Sequence, residues 1–229
     1  MRFFFFFFCF SFFSQAQSIR LGQVDELKVF DGLRVTIIPS DADSLVVEGK
    51  NKAFFSYKNK NGRLYLRMNL LKRLGGFNTT VALFVSNPLE VIDANEGAYV
   101  YCQDVLFQPT ITLKAQEGAE IEAVLDVQKI TTKTSSGGVV KLSGVAKNQK
   151  HLVSAGGTIQ ADELSSSFAE VKVKAGGNAA VRAEEEVTAI VSLGGSIRVF
   201  GPPKKLVKRI DVGGTIELVK EPQPTNTDE

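Results

Sequence analysis

A short repeat built on glycine constrains the fold of this chain more than any other feature of its sequence. Glycine, then glycine or alanine, then any residue, then an apolar residue recurs seven times. The copies begin at Gly97, Gly118, Gly137, Gly156, Gly176, Gly194 and Gly213. Successive copies begin 21, 19, 19, 20, 18 and 19 residues apart. A period this steady is typical of a solenoid, in which each repeat is one structural unit stacked on the next.

Apolar and polar residues alternate on both sides of each glycine, as in strands that bury one face. The third residue after the glycine is apolar in every copy: Val100, Ile121, Val140, Ile159, Ala179, Ile197 and Ile216. The position two before the glycine is mainly polar and forms a predicted outward ladder: Asn95, Gln116, Ser135, Ser154, Lys174 and Ser192. We expect this polar ladder to face a ligand.

The length of the repeat selects among repeat architectures. Helical repeats need about 33 to 47 residues, and propeller blades need about 40 or more. A repeat of 19 residues instead suits one coil of a β-helix, with tight corners at which glycine accepts a positive φ. The sequence therefore predicts an all-β chain whose main part is a parallel, right-handed β-helix with 19 to 20 residues per coil.

Changes in composition divide the chain into four predicted parts. Residues 1–16 are interpreted as a signal peptide and residues 17–91 as a β-rich segment without the repeat. Residues 92–220 form the glycine-cornered solenoid, and residues 221–229 form a polar, disordered tail. We expect the β-rich segment to cap the solenoid, either as irregular extra coils or as a small antiparallel sheet. Within it, Asn61-Gly62 separates two apolar stretches and predicts a hairpin turn.

The first residues have the layout of a secretory signal peptide. Arg2 is followed by a phenylalanine-rich apolar block and then by Ser14-Gln15-Ala16, a small-x-small end. The block is shorter than the roughly 20 residues of a membrane-spanning helix, and no later apolar run reaches that length. We therefore expect cleavage after Ala16, no membrane span, and export to the periplasm, the outer-membrane surface or the cell exterior. Lipid attachment at Cys9 is disfavoured by its bulky neighbours.

Few residues in the sequence could carry catalysis. His151 is the only histidine, and it falls in a column of mostly apolar residues, which favours a structural role. Cys102 is the only cysteine that remains after the predicted cleavage, and its inward column favours a small core residue. No glycine pair is followed by the lysine and helix of a phosphate-binding loop. We therefore expect no catalytic residue, no metal site and no cofactor.

Carboxylates need separate treatment, because an enzyme that cleaves polysaccharides on a β-helix needs acids on neighbouring coils. Glu96 and Glu117 fall on neighbouring coils, but the next coil has Ser136 at that position. Glu184-Glu185-Glu186 is interpreted as a solvated bend. A basic group after two prolines could attract anionic glycans or lipid headgroups, although a solvated loop is the simpler interpretation. This group comprises Lys204, Lys205, Lys208 and Arg209.

The chain resembles a family of exported bacterial proteins called putative auto-transporter adhesins with a head GIN domain. The resemblance is carried by the recurring small-residue corners and by a strand-rich segment before them that ends in Pro88-Leu89-Glu90-Val91-Ile92. It covers residues 19–220. The resemblance implies a β-helical fold, a cell-envelope location and a role in adhesion.

The leading hypothesis is a non-catalytic, exported binding or adhesion protein whose rigid repetitive surface holds a surface glycan or a protein ligand. The formal net charge of +2, from 27 basic and 25 acidic residues, argues against a nucleic-acid partner. Two alternatives stay open. One is a carbohydrate-active β-helix enzyme, and the other is a structural envelope protein that self-associates into a homo-oligomer.

Overall fold

The structure is a computed structural model that describes residues 18–69 and 76–219. These residues form strands and a short 3₁₀ helix at Lys52–Phe54. In chain order the strands are β1 (Ile19–Arg20), β2 (Glu26–Val29), β3 (Arg34–Pro39), β4 (Ser44–Gly49), β5 (Phe55–Lys60), β6 (Arg63–Met68), β7 (Thr79–Val85), β8 (Val91–Ala94), β9 (Tyr99–Cys102), β10 (Leu106–Gln116), β11 (Glu120–Ser135), β12 (Val139–Ser154), β13 (Thr158–Lys174), β14 (Asn178–Arg182), β15 (Glu186–Ser192), β16 (Ser196–Phe200), β17 (Lys205–Ile210) and β18 (Thr215–Val219). The predicted signal peptide and the predicted disordered tail lie outside the described residues.

Parallel pairing between coils builds a β-solenoid, which confirms the predicted fold. Strands β11, β12 and β13 each run from one glycine corner to the next. Face A is the part of each coil that precedes the corner, and its strands stack in the order β6, β2, β8, β10, β11, β12, β13, β15 and β17. Face B follows the corner, and its strands stack in the order β7, β3, β9, β11, β12, β13, β14, β16 and β18.

The apolar columns predicted from the repeat form the core between the two faces. Val140 stacks on Ile159, and Ile197 stacks on Ile216. All four side chains are buried, with at most 9% of each exposed. Alternate residues along each strand point inward, so burial of these columns fixes the register of the whole stack.

Each corner contains at least two consecutive residues with positive φ. Glu117 and Gly118 have φ angles of 54° and 72°, and the Ala119 N–H donates to the Gln116 carbonyl at 3.1 Å. Positive φ at both central residues is the property of a type I′ turn. The first central position holds a residue other than glycine in these corners: Glu96, Glu117, Ser136, Ala155, Ala175 and Leu193. A left-handed backbone disfavours such side chains, so each of these corners carries some strain.

The N-terminal segment contains one further corner that the sequence analysis did not assign to the repeat. Asp31 and Gly32 have φ angles of 59° and 73°, as in the later corners. Strands β2 and β3 on either side stack on β8 and β9, and Val35 lies next to Val100. The sequence signal was present, because Val35 is the third residue after Gly32.

The order of coils in the stack differs from the order along the chain at this end. Strands β6 and β7 pair in parallel with one edge of β2 and β3. Strands β8 and β9 pair in parallel with the other edge. The coil formed by β2 and β3 is therefore flanked on both sides by segments that follow it in sequence.

Antiparallel strands complete the N-terminal end. Strand β4 pairs with β7 and with β1, and β5 pairs with β6, all in antiparallel orientation. Asn61 and Gly62 join β5 to β6 with φ angles of 51° and 77°, which confirms the predicted hairpin turn. The segment thus contains both arrangements that the sequence left open, parallel coils and antiparallel strands.

The C-terminal end of the stack is more open. Strands β17 and β18 pair with β15 and β16 on one side, and the described residues supply no strand on the other. Ile210 and Leu218 belong to columns that are buried in the earlier coils, yet they are 48% and 44% exposed here. These columns were expected to face inward throughout, and the last coil departs from that expectation because no further coil within the described residues covers it.

Candidate functional site

The predicted polar ladder lies on face A, directly before the glycine corners. Asn95 is buried, and Lys174 is exposed. The remaining members are partly buried: Gln116, Ser135, Ser154 and Ser192. The corner turns hold these positions in line, because each ladder residue precedes the two residues with positive φ.

Hydrogen bonds join the first three ladder residues to one another and to Asp93. The Asn95 amide nitrogen donates to Asp93 Oδ1 at 3.0 Å. Gln116 Nε2 donates to Asn95 Oδ1 at 3.2 Å and to Asp93 Oδ1 at 3.3 Å. The Ser135 hydroxyl lies 3.5 Å from Gln116 Oε1, which is the long limit of a hydrogen bond. The structure therefore brings Asn95, Gln116 and Ser135 together as one network.

The later ladder residues are in line with this network but are not bonded to it. The Ser154 hydroxyl donates to the Thr134 carbonyl at 3.5 Å. The Ser192 hydroxyl donates to Asp211 Oδ2 at 2.6 Å. The ladder is thus a geometric alignment over its whole length and a bonded network only at its N-terminal end.

Asp93 is a site residue that the sequence analysis missed. It is 4% exposed, and its Oδ2 lies 3.1 Å from Lys28 Nζ on the neighbouring strand. A buried carboxylate is stabilised by such a partner together with hydrogen bonds. The signal that could have found it is its position two residues before Asn95, on the same outward side of β8.

A shallow groove of about 310 Å³ lies along this part of face A. Its lining includes Lys114 and Lys133 together with the ladder residues Gln116, Ser135 and Ser154. We call it the lysine groove. It presents ammonium groups, hydroxyl groups and an amide beside the carboxylate of Asp93, which is paired with Lys28. The ammonium, hydroxyl and amide groups can bind anions and hydroxyl-bearing ligands through hydrogen bonds.

His151 is buried inside the solenoid and hydrogen-bonded at both ring nitrogens. Gln149 Nε2 donates to the Arg182 carbonyl at 2.6 Å and to Ser166 Oγ at 2.7 Å, so Gln149 Oε1 faces the ring. This oxygen lies 2.6 Å from His151 Nε2, which must therefore carry the proton. Nδ1 then accepts from Thr132 Oγ1 at 2.7 Å. Burial lowers the pKa of His151 to about 3, so the neutral ring is a structural member of the core.

Cys102 is also part of the core. It is 1% exposed, and burial raises the pKa of its thiol to about 12. A thiol with this pKa is protonated and inert at neutral pH. The prediction of a small core residue at this position is confirmed.

Two charged clusters that stood out in the sequence are joined by two ion pairs. Lys204 Nζ donates to Glu185 Oε1 at 2.7 Å, and Lys205 Nζ donates to Glu186 Oε1 at 3.0 Å. Each pair is 19 residues apart, so the acidic run and the basic group meet on neighbouring coils. The hydrogen bond to Glu185 raises the pKa of Lys204. The other basic residues also have partners, because Lys208 donates to the Ile216 carbonyl and Arg209 pairs with Asp211.

Other carboxylates of the solenoid have partners of the same kind. Glu120 lies 2.6 Å from Lys141 Nζ, and Glu122 accepts a hydrogen bond from the Tyr99 hydroxyl at 3.1 Å. Glu96 and Glu117, which the sequence placed on neighbouring coils, occupy corner positions with positive φ. Within residues 18–69 and 76–219, no three histidine, cysteine or acidic side chains are close enough to hold a metal ion.

A second concave surface is apolar and lies near the N-terminal end. This cavity of about 230 Å³ is formed where β3, β7 and β9 end. Ile37, Val85 and Leu89 line it together with Phe107, which is 78% exposed. It is smaller than a typical site for a drug-sized ligand and has room for a short apolar group.

The sequence pattern of one protein family matches most of the chain. This family is described as putative auto-transporter adhesin, head GIN domain, and the match covers residues 23–203. The chain belongs to this family. The match includes the lysine groove, the polar ladder and the apolar cavity of this head GIN domain protein. A comparison with curated proteins found no significant match.

Solved structures share the fold of the head GIN domain protein at low sequence identity. A putative adhesin from Bacteroides fragilis is 20% identical, with a TM-score of 0.80, over 88% of this chain and 94% of that chain. A putative adhesin from Parabacteroides distasonis is 21% identical, with a TM-score of 0.70, over 89% and 95% of the two chains. A putative lipid binding protein from the same species is 15% identical, with a TM-score of 0.67, over 89% and 96%. Across the described part of the chain, no helix has the length and apolar character needed to cross a membrane.

Proposed function

We propose that this protein is an exported, non-catalytic binding protein of the cell envelope that holds a surface glycan or a protein ligand on face A. The observation that carries the proposal is the hydrogen-bonded network of Asn95, Gln116 and Asp93, with the Ser135 hydroxyl aligned beside it. The parallel stack fixes these groups on a rigid surface, so little conformational entropy is lost when a ligand binds. Ser154, Lys174 and Ser192 extend the same face along the axis.

The environment of the reactive side chains supports a binding role over catalysis. His151 is neutral and enclosed, and the thiol of Cys102 is protonated and enclosed. Glu120, Glu185 and Glu186 are engaged by lysines. A general acid or base needs access to substrate and a pKa near the working pH, and His151 and Cys102 offer neither.

The cell-envelope location is supported by the sequence and by the family. Residues 1–16 have the charge and hydropathy layout of a signal peptide. The family is named for adhesins, and structural neighbours are named as adhesins or as a lipid binding protein. N-terminal sequencing of protein from its native host should find Gln17 or a residue close to it, and an intact Met1 would contradict export by this route.

A glycan array combined with a polysaccharide degradation assay tests the binding function. We expect binding without turnover, and we expect Gln116→Ala, Ser135→Ala and Ser154→Ala each to weaken binding by a small factor. Losses should be spread in this way because no single side chain dominates a repetitive surface. Cleavage by the wild type that disappears in Glu117→Gln would instead establish the carbohydrate-active enzyme.

Self-association is a second candidate function, and the open C-terminal coil favours it. The apolar side chains of Ile210 and Leu218 are half exposed, and the free edges of β17 and β18 can pair with another strand. Two copies that pair through these C-terminal edges form a closed, self-complementary contact, so the expected assembly is a dimer. Sedimentation at increasing concentration should show a dimer that Ile210→Lys abolishes, and a monomer at all concentrations would remove this candidate.

A further inference from the structure

Face A carries a row of lysines, of which only Lys174 belongs to the predicted ladder. The row lies on residues 112–116, 131–135, 150–154 and 170–174, the face A parts of four successive coils. Their outward positions include Lys114, Lys133, Lys150, Lys172 and Lys174. Glu170 is the one carboxylate within these four stretches. The row therefore has a strong local excess of positive charge, although the net charge of the whole chain is only +2.

Part of the row is neutralised by Glu170. Its two carboxylate oxygens lie 2.8 Å from Lys172 Nζ and 2.9 Å from Lys150 Nζ. The hydrogen bonds from Lys172 and Lys150 lower the pKa of Glu170. One carboxylate is thus shared by two ammonium groups. With Lys150, Lys172 and Lys174 set against Glu170 alone, this half of the row keeps a net positive charge.

Lys114 and Lys133 have no such partner. They are direct neighbours in the register of β10 and β11, and strands in a sheet are about 4.8 Å apart. Like charges placed directly opposite each other destabilise a sheet. Neither ammonium forms an ion pair with any residue that the structure describes. The nearest carboxylate in their column, Asp93, is already bound to Lys28 at 3.1 Å.

The hydroxyls beside these lysines have weak internal bonds. Ser135 Oγ and Ser154 Oγ each donate across 3.5 Å, a distance at which a hydrogen bond contributes little. Either hydroxyl can turn toward a ligand at small cost, because each is only partly buried. The lysine groove therefore combines two unpaired cations with two available hydroxyls.

We propose that the lysine groove binds an anionic polysaccharide, with Lys114 and Lys133 on its carboxylate or sulfate groups and Ser135 and Ser154 on its hydroxyls. This inference rests on the proposed binding function and specifies the class of ligand. A linear polymer that runs along the solenoid axis would meet Lys114 and Lys133 on adjacent coils and Lys172 two coils further on. An anion at this position removes the repulsion between the two stacked ammonium groups.

The outward side chains of face A favour a polysaccharide over other anionic polymers. Single-stranded nucleic acid is bound by aromatic side chains on which bases stack. The four stretches of the lysine row contain no phenylalanine, tyrosine or tryptophan, and the ring of His151 is buried. A membrane surface would be bound by basic residues together with apolar side chains that enter the lipid. Leu152 is the one apolar residue at the outward positions of the lysine groove.

The chain supplies a matched control for the two lysines. Lys204 and Lys205 are also neighbours on the outside of the solenoid, but each is paired with a glutamate of the preceding coil. Lys114→Gln/Lys133→Gln and Lys204→Gln/Lys205→Gln remove the same formal charge. The first double variant should fold as well as the wild type, because it removes a like-charge contact.

The experiment measures binding to heparin, polygalacturonate and neutral dextran at low and high salt. We expect the wild type to bind at least one of the two anionic polymers, and to bind it more weakly at high salt because salt screens exposed charges. Lys114→Gln/Lys133→Gln should weaken that binding by about tenfold, and Lys204→Gln/Lys205→Gln by less than about twofold. Ser135→Ala/Ser154→Ala should cause a smaller loss that persists at high salt.

Three outcomes would overturn this inference. Equal losses in the two lysine variants would show that only net charge matters and that the groove is not a site. Tighter binding to phosphatidylglycerol vesicles or to single-stranded DNA, with the same dependence on Lys114 and Lys133, would replace the polysaccharide by that partner. Binding of a neutral glycan or a protein on face A without binding of either anionic polymer would overturn the ligand class and leave the proposed function intact.

Discussion

The Oγ1 atom of Thr132 lies 2.7 Å from Nδ1 of His151, the residue directly beside it on the next coil. Both side chains are almost completely buried, with 0% and 1% exposed. The contact places a polar pair in a column that is otherwise mainly apolar. Gln149 Oε1 accepts from Nε2 of the ring, and Gln149 Nε2 in turn donates to Ser166 Oγ. The solenoid thus contains an ionisable group in its core that is held neutral.

Mild acid should therefore destabilise the protein through His151. Burial lowers the pKa of His151 from 6.5 to about 3 in the folded state, while the unfolded chain keeps the ordinary value. Between these values the unfolded state binds a proton that the folded state does not. The stabilising contribution is complete above pH 6.5 and is lost as the pH falls toward 3, by at most about 1.4 kcal/mol per pH unit.

Urea unfolding at a series of pH values between neutral and mildly acidic measures this effect. His151→Gln is the control, because glutamine forms hydrogen bonds but does not titrate. The stability of the variant should change less with pH than that of the wild type. Parallel curves for the two proteins would contradict the assignment, since the chain has only one histidine.

The register of the core is tested by Ile159→Asp. Ile159 is 1% exposed, so the substitution places a carboxylate among apolar side chains. The expected loss is about 4 kcal/mol or more in the free energy of unfolding, measured by thermal or chemical denaturation. The neighbouring change Gln160→Asp is the matched control, because Gln160 is exposed and lies beside Lys141. A similar stability for both variants would rule out this register.

The close approach of a corner to the neighbouring coil is tested by Gly138→Ala. A Cβ atom at this position would lie 2.1 Å from the Ala115 carbonyl oxygen on another coil, so the backbone must shift. We expect a loss of about 2 to 3 kcal/mol. Gly137→Ala meets no atom within 4 Å and should lose only about 1 kcal/mol, through its positive φ. The reverse ranking of the two melting temperatures would contradict this account of the corner.

The strain at the corners is tested by Leu193→Asn. Leu193 has a φ of 61° and is 64% exposed, so its side chain contributes little burial while its backbone is left-handed. Asparagine tolerates this conformation, as it does before Gly62 in the hairpin turn. We expect a gain of about 1 kcal/mol, seen as a higher melting temperature. Leu193→Ala lacks the side-chain amide that lets asparagine adopt this conformation and should show a smaller gain, so equal gains would attribute the effect to removal of an exposed leucine.

The repetitive part of the fold could be predicted because every coil repeats the same local signals. Ile159 and Ile197 occupy the same column, and their burial follows from alternation around a corner glycine. The N-terminal part lacked this redundancy. Asp31-Gly32 forms a single corner whose neighbours in the stack are distant in sequence, and no local pattern indicates that β6 and β7 lie outside β2 and β3.

The candidate site was predicted only in part, for a related reason. The polar ladder identified the correct edge of face A, but polar residues occupy many outward positions of a solenoid. Lys114 and Lys133 could have been found by extending the column comparison two residues further from the glycine. The pairing of Glu185 with Lys204 follows from the same 19-residue spacing. The engagement of Asp93 by Lys28 could not be predicted, because it depends on the displaced N-terminal coil.

That displaced coil also determines how the chain can fold as it is synthesised. Strands β2 and β3 leave the ribosome early but acquire neighbours on both edges only when residues up to 102 have followed. The conformational entropy of closing these loops must be lost before any stable nucleus exists. Each later coil instead pairs with the edge of a coil that is already folded, through contacts between neighbouring repeats. Chains truncated from the C-terminus should consequently retain a folded shorter stack, whereas chains that lack β8 and β9 have no template from which to grow.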